Sequence, residues 1–135
     1  MKKIEHIGIA VKDISKSNEL FAALFDDEPY KMEEVVSEGV MTSFFRVGES
    51  KIELLQATNE NSPIAKFIEK KGEGIHHIAF GVDDIESEIK RLEAKGFTMI
   101  HKEAKKGADN MMIAFLHPKS TNGVLIELCQ EIVAK

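Results

Sequence analysis

The sequence is poor in cysteine, proline and aromatic residues. Cys129 is the one cysteine among 135 residues, so an intramolecular disulfide is excluded, which fits a reducing compartment. Tryptophan is absent, and no stretch approaches the roughly 20 apolar residues that a membrane-spanning helix needs. A basic excess is also lacking, since 18 basic residues face 23 acidic ones for a net charge of -5. We therefore expect neither nucleic acid nor a membrane among the partners of this protein, because both attract basic surfaces.

Recognisable targeting and linker patterns are missing as well. The amino terminus reads MKKIEH, without the apolar core of a signal peptide or the Arg- and Ser-rich character of a transit peptide. No segment has the Pro-rich or Gly/Ser-rich composition of a flexible linker. Hydrophobic residues make up 43% of the chain, which is enough for a buried core. We expect one cytoplasmic domain that spans residues 1–135.

What the sequence does contain is a repeat. EHIGIAV at 5–11 resembles HHIAFGV at 76–82, and IELLQ at 52–56 matches IELCQ at 126–130 in all but one position. The histidine of the first motif and the glutamate of the second lie 47 residues apart in the first copy and 50 apart in the second. Because both ends recur at nearly the same spacing, the repeated unit is the whole segment and not a single short motif.

Helices are predicted from apolar residues at helical spacing. One follows each histidine motif, with Asp13 or Ser15 as the first N-cap and Gly96 as the stop of the second helix. A third is predicted over 63–71, where Ser62 can cap the helix and a proline fills its first position.

Strands are predicted where β-branched and aromatic runs are bounded by turn residues. Beyond the histidine strands these runs are 40–47, 51–56, 111–116 and 124–129. Each copy then reads as strand, helix and three strands, and the fold class is α+β with two tandem βαβββ modules. We place module 1 at about 3–57, a connecting helix at about 62–72 and module 2 at about 74–130.

The repeat points to four metal ligands, His6, Glu53, His77 and Glu127. A carboxylate within an apolar strand is costly unless it is paired, protonated or bound to a metal. Taken singly, a strand histidine is more often a core residue and a strand glutamate more often faces water. Equivalent positions in two copies favour one shared site, and imidazole with carboxylate suits Mn, Fe, Co, Ni or Zn, while carboxylates also accept Mg.

The evidence that the remaining histidines are metal ligands is weaker. His76 adjoins His77, but the strand period turns it to the other face. His101 and His117 have no repeat partner, and we interpret them as surface or substrate-channel residues.

The chain resembles the vicinal oxygen chelate superfamily, and within it the methylmalonyl-CoA epimerases. The segments that carry the resemblance are IEHIGIAVKD, KIELLQ, GEGIHHIAFGVDDI and FLHPKSTNGVLIEL, and it covers roughly residues 4–130. The resemblance implies a cupped eight-stranded mixed sheet around a divalent metal (Co, Mn, Ni, Zn or Mg), an acyl-CoA substrate and a homodimer. It implies inversion at C2 of methylmalonyl-CoA through an enolate that the metal stabilises.

The resemblance also implies roles for single residues. His6, His77 and Glu127 fall on ligand positions, and Glu127 is in addition the family's candidate for one catalytic base. Glu53 falls on the remaining ligand position, where some members have glutamine, so this chain carries one more negative charge. The second base of some members is a glutamate where this chain has Thr42, a poor base, which leaves Glu53, Glu38, a water or another residue for that role.

The residues that would bind the phosphates of CoA stay open. The phosphates of CoA are expected to meet a basic rim, for which Lys102, Lys105, Lys106 and Lys119 are available, although each is equally well an ordinary solvated lysine.

The superfamily also performs other chemistry, so fold alone does not decide function. The alternatives are a glyoxalase I-type isomerase of glutathione hemithioacetals and a non-catalytic ligand-binding module of the bleomycin-resistance type. A ring-cleaving Fe(II) dioxygenase is disfavoured by the fourth ligand. The motifs near His77 and Glu127 favour the epimerase.

Overall fold

The computed structural model describes residues 1–133, and within them the chain forms eight strands and three α-helices. The strands are β1 (Lys3–Ala10), β2 (Lys31–Val35), β3 (Val40–Val47), β4 (Ser50–Ala57), β5 (Gly74–Gly81), β6 (Lys105–Lys106), β7 (Met111–Leu116) and β8 (Ile126–Glu131). The helices are α1 (Ile14–Phe25), α2 (Pro63–Lys71) and α3 (Ile85–Ala94). None of these helices has the length and apolarity required to span a bilayer.

The chain divides into two compact units. The first unit is His6–His76, and the second joins the five amino-terminal residues to the chain from His77 onward. The strand order is β2-β3-β4-β1 in the first unit and β1-β5-β8-β7-β6 in the second. Strand β1 is counted in both, because its first three residues belong to the second unit and the rest to the first. The sheet therefore has eight strands, parallel between β1 and β4 and between β5 and β8 and antiparallel within each outer group. The predicted α+β class with two βαβββ modules is confirmed.

The register repeats between the units as closely as the sequence does. In the first unit Gly8 of β1 lies beside Glu53 of β4. In the second, Ala79 of β5 lies beside Glu127 of β8. Each of these small residues comes two positions after the histidine of its own strand, so it shares a sheet face with that histidine.

Helices α1 and α3 begin in the same way. Asp13 caps α1 by accepting a hydrogen bond from the Lys16 N–H at 3.2 Å, which decides between Asp13 and Ser15. Asp84 caps α3 through the Ser87 N–H, also at 3.2 Å. That backbone hydrogen bond is the main cause of a lowered pKa for the Asp84 carboxyl.

A second hydrogen bond joins each of these helices to the strand that carries the glutamate of its unit. The Gln56 side-chain oxygen accepts from the Ile14 N–H at 2.7 Å, and the Gln130 oxygen accepts from the Ile85 N–H at 2.8 Å. The first backbone N–H groups of a helix have no partner within the helix. The last residue of the repeated pentapeptide therefore satisfies one of them in each unit.

Each unit covers one face of its strands with a helix. The cluster beneath α1 includes Phe45 and Leu54, and the cluster beneath α3 includes Leu116 and Leu128. Leu54 and Leu128 directly follow the two glutamates along their strands. Since side chains alternate between faces, α1 and α3 cover the face opposite to the one that carries the glutamates.

Two strands depart from their predicted bounds: the one predicted at 51–56 extends over Ser50–Ala57, and the one predicted at 124–129 is Ile126–Glu131. The last strand begins at Ile126 and not at 124, because the Val124 carbonyl belongs to the preceding turn, where it accepts a hydrogen bond from the Thr121 hydroxyl. Helix α2 has the predicted bounds, with the Ser62 hydroxyl accepting from the Ile64 and Ala65 N–H groups.

Candidate metal centre

The first unit holds one predicted pair of ligands in direct contact. His6 of β1 and Glu53 of β4 lie on neighbouring parallel strands, and the distance from His6 Nδ1 to Glu53 Oε2 is 3.0 Å. Both side chains are buried, with at most 5% of either residue exposed. A buried carboxylate requires a positive or hydrogen-bonding partner, and the imidazole provides one.

The second unit holds the other pair in the same arrangement. His77 of β5 and Glu127 of β8 again lie on neighbouring parallel strands, and the distance from His77 Nε2 to Glu127 Oε1 is 2.9 Å. Both residues are as deeply buried as the first pair. The structure thus brings the four predicted ligands together two by two, while their convergence on a single ion stays a prediction.

The chemistry of each pair fits a divalent cation. Two ligands at about 2.1 Å from an ion and about 90° apart are separated by roughly 3 Å, which is the separation found in both pairs. Imidazole nitrogen and carboxylate oxygen are ligands that Mn, Co, Ni and Zn accept. Without an ion, the same geometry is a hydrogen bond between the ring and the carboxylate.

Comparison with known proteins shows which family the chain resembles. Residues 5–115 match the model of the Glyoxalase/Bleomycin resistance protein/Dioxygenase superfamily. The mitochondrial methylmalonyl-CoA epimerase of Dictyostelium discoideum is 39% identical over 127 residues, which are 93% of this chain and 76% of that protein. The ethylmalonyl-CoA/methylmalonyl-CoA epimerase of Cereibacter sphaeroides is 37% identical over 130 residues, covering 95% of this chain and 97% of that protein.

A solved structure extends the likeness to the fold. A variant of the Streptomyces coelicolor methylmalonyl-CoA epimerase, in complex with 2-nitronate-propionyl-CoA, has 33% sequence identity and a TM-score of 0.95. The match covers 100% of this chain and 98% of that one. The chain belongs to the methylmalonyl-CoA epimerase family of this superfamily. The predicted resemblance is confirmed.

The surroundings of the two carboxylates differ in this family member. In the second unit, the Cys129 thiol donates a hydrogen bond to Glu127 Oε2 at 3.1 Å. The equivalent residue of the first unit is Leu55, which packs with Ala10 and with Ile64 of α2. Cys129 comes two residues after Glu127 and so shares its face of the strand, but a strand period gives a face and not a side-chain rotamer, so the sequence does not predict the hydrogen bond.

An aromatic ring borders the second pair. Phe115 of β7 lies opposite Glu127 in the register, and its ring meets the His77 ring edge-on at a centroid distance of 5.8 Å. His101 meets the same phenylalanine at 6.1 Å. His101 is thus near this pair within the second unit, and its interpretation as a surface or substrate-channel residue stays a prediction.

The other two histidines lie elsewhere. His76 packs edge-on against Phe67 of α2 at 5.0 Å, as expected if it points away from the face of His77. His117 is exposed and accepts a hydrogen bond from the Lys119 N–H at 3.1 Å.

At the position where the resemblance implies a second base, this chain has the buried hydroxyl of Thr42. Thr42 of β3 is only 1% exposed and lies opposite Leu55 in the antiparallel register. Leu55 lies two residues after Glu53 on β4, so both side chains are on the same face of the sheet, and Thr42 shares that face. Glu38, by contrast, lies in a 3-10 turn between β2 and β3.

Proposed function

We propose that this protein is an isomerase that inverts C2 of methylmalonyl-CoA, and that one divalent ion held by His6, Glu53, His77 and Glu127 takes part. The observation that carries the proposal is the repeated, buried His–Glu pair at 2.9 and 3.0 Å in a chain of the epimerase family. One pair alone would be an ordinary buried hydrogen bond. Two pairs at equivalent register positions of two units argue for a shared ligand.

The chain's own residues supply ligands and proton acceptors. Glu127 is proposed as the base that takes the C2 proton of one epimer, in line with its place in the family. Without an ion, His6 and His77 hydrogen-bond the two buried carboxylates, and all four side chains would be ligands of a bound ion. When bound, a divalent ion supplies Lewis-acid polarisation of substrate oxygens and stabilises the charge that develops on them.

Inversion requires a second acid–base group on the opposite face of C2, and we assign this role to Glu53. Thr42, at the family's usual position, has no carboxylate. Glu53 shares the face of Thr42 within the first unit, whereas Glu38 belongs to a turn. Glu53 is also the repeat equivalent of Glu127, so the two proposed bases come one from each unit.

The experiment that tests the activity uses the Co²⁺-loaded protein in D₂O. We expect deuterium to appear at C2 of methylmalonyl-CoA, together with conversion of either pure epimer into the mixture, as followed by mass spectrometry and NMR. The hemithioacetal of methylglyoxal and glutathione serves as the rival substrate. Turnover of the hemithioacetal without exchange on methylmalonyl-CoA would contradict the proposal and favour a glyoxalase I-type isomerase.

Four lysines of the second unit are proposed to contact the phosphates of CoA. Lys105 of β6 is partly exposed, and Lys102, Lys106 and Lys119 are exposed, so they are available to the phosphates of an acyl-CoA.

The homodimer and the cytoplasmic location also stay predictions. Light scattering on the purified protein would measure the oligomeric state.

A further inference from the structure

We infer that Cys129 is a positioning residue whose thiol holds one oxygen of Glu127 and so leaves the other oriented toward His77. The catalytic consequence of this inference rests on the proposed function. The hydrogen bond itself does not, because it can be measured without metal or substrate.

The two oxygens of Glu127 have different partners. Oε1 lies 2.9 Å from His77 Nε2, and Oε2 accepts from the Cys129 thiol at 3.1 Å. A carboxylate can turn about its last bond with little preference, since that torsion has a broad profile. Contacts on both oxygens restrict this turn, so the two atoms cannot exchange places without losing both hydrogen bonds.

The thiol is itself held in place. Cys129 is 2% exposed and packs in a small cluster with Ala79 and Ile113. It comes two residues after Glu127 on β8, and its neighbour on β5 is Gly81. A side chain enclosed in this way keeps its rotamer, which is what a group that orients a catalytic carboxylate has to do.

The first unit provides a natural contrast. Leu55 stands at the repeat position of Cys129, in register with Ala10 as Cys129 is with Gly81. Leucine has no donor, so it cannot hold an oxygen of Glu53 as the thiol holds an oxygen of Glu127. The thiol contact therefore belongs to one of the two proposed bases, and its loss should affect the epimer that this base serves.

A second carboxylate lies within reach of the thiol. An oxygen of Glu5, in the amino-terminal part of the second unit, is within 4.8 Å of Cys129 Sγ. Glu5 is buried as well. A test of the hydrogen bond has to distinguish this acceptor from Glu127.

The hydrogen bond can be measured by infrared spectroscopy of the metal-free protein. Cys129 is the only cysteine, so the S–H stretching band, which lies in a region without other protein bands, belongs to it alone. We expect a band shifted to low frequency in the wild type, and a return to higher frequency in Glu127→Gln. Glu53→Gln, the matched control in the other unit, should leave it unchanged. An unshifted wild-type band, or a band that responds to Glu5→Gln and not to Glu127→Gln, would overturn the inference.

The positioning role is tested by a pair of variants of nearly equal volume. Cys129→Ala removes the donor, whereas Cys129→Ser keeps one. We expect the Co²⁺ absorption spectrum to change in Cys129→Ala, and C2 exchange of one epimer to fall about tenfold, as for other partners of metal ligands. Cys129→Ser should restore both toward wild type.

The outcomes separate the two proposals. If Ala and Ser variants have the same Co²⁺ spectrum and the same exchange rates, the positioning role is wrong even if the enzyme is active. If the spectra differ as expected but no form of the protein exchanges the C2 proton, Cys129 positions Glu127 and the proposed function fails instead.

Discussion

The two units place histidine and glutamate at the same register positions and then treat the carboxylates differently. Glu53 has a leucine as its same-face neighbour, whereas Glu127 has a cysteine that donates to it. The imidazoles differ too, since the first pair meets through His6 Nδ1 and the second through His77 Nε2. The repeat thus reproduces the four predicted ligands, and the one position at which the repeated pentapeptides differ, Leu55 and Cys129, distinguishes the two carboxylates.

This difference matters because inversion of C2 requires two acid–base groups on opposite sides of that carbon. One group removes the proton from one side, and the other returns a proton to the opposite side. In the proposed mechanism each unit provides one of the two bases, Glu53 and Glu127. Differences such as Thr42, Leu55 and Cys129 then allow each base to be adjusted separately.

The largest expected effect comes from exchanging the two carboxylates for amides one at a time. Glu127→Gln should lower C2 deuterium exchange of one epimer by about 10²- to 10⁴-fold, the usual contribution of a general base. Glu53→Gln should do the same to the opposite epimer. The rates are measured on each pure epimer with the Co²⁺-loaded variants.

This experiment can break the comparison outright. If both variants lose exchange of the same epimer, the two units do not provide one base each. If Glu53→Gln retains exchange of both, Glu53 is a ligand only and the second base lies elsewhere.

Loss of either histidine should weaken metal binding by about 100-fold or more, since even the outer partners of ligands contribute 10- to 100-fold. His6→Ala and His77→Ala are expected to lose similar affinity for Co²⁺, because each removes one imidazole from an equivalent pair. Competition with a chelator gives the two dissociation constants. Affinity that depends on one histidine and ignores the other would show that a single unit binds the ion.

A smaller effect is expected at the position of the missing base. Thr42→Ala removes a hydroxyl that we assign no proton transfer, so exchange should fall by no more than about threefold, less than the contribution of even a weak general base. A fall as large as that of Glu127→Gln would show that the bases are misassigned.

The smallest effect is on stability and leaves the site intact. Gln56→Ala and Gln130→Ala each remove an acceptor from the first turn of a helix, and each should lower the free energy of unfolding by about 1 kcal/mol. Urea denaturation of the two variants measures this. Clearly unequal losses would show that the helices are not held equally in the two units.

Much of this arrangement follows from the sequence because the repeat constrains it at both ends. The repeat and the strand period were enough to assign one histidine and one glutamate to each half, although not to predict their direct contact, and Ser62 was a clear N-cap for helix α2. These features depend on local chemistry and on alternation between faces.

Other features depend on three-dimensional packing that a pattern does not contain. The repeated glutamines, Gln56 and Gln130, were visible as letters, but their bonds to helices more than 40 residues away in sequence were not. The Cys129 rotamer likewise depends on how Ala79 and Ile113 enclose it. The late start of β8 follows from a side-chain hydrogen bond in the preceding turn.

The number of metal ions bound per chain tests the central claim most directly, namely that both pairs serve one ion. Titration of the metal-free protein with Co²⁺, checked by elemental analysis after gel filtration, should give one ion per chain. The combined variant Glu53→Gln with Glu127→Gln should lose it. Two ions per chain, or none retained by the wild type, would contradict the account.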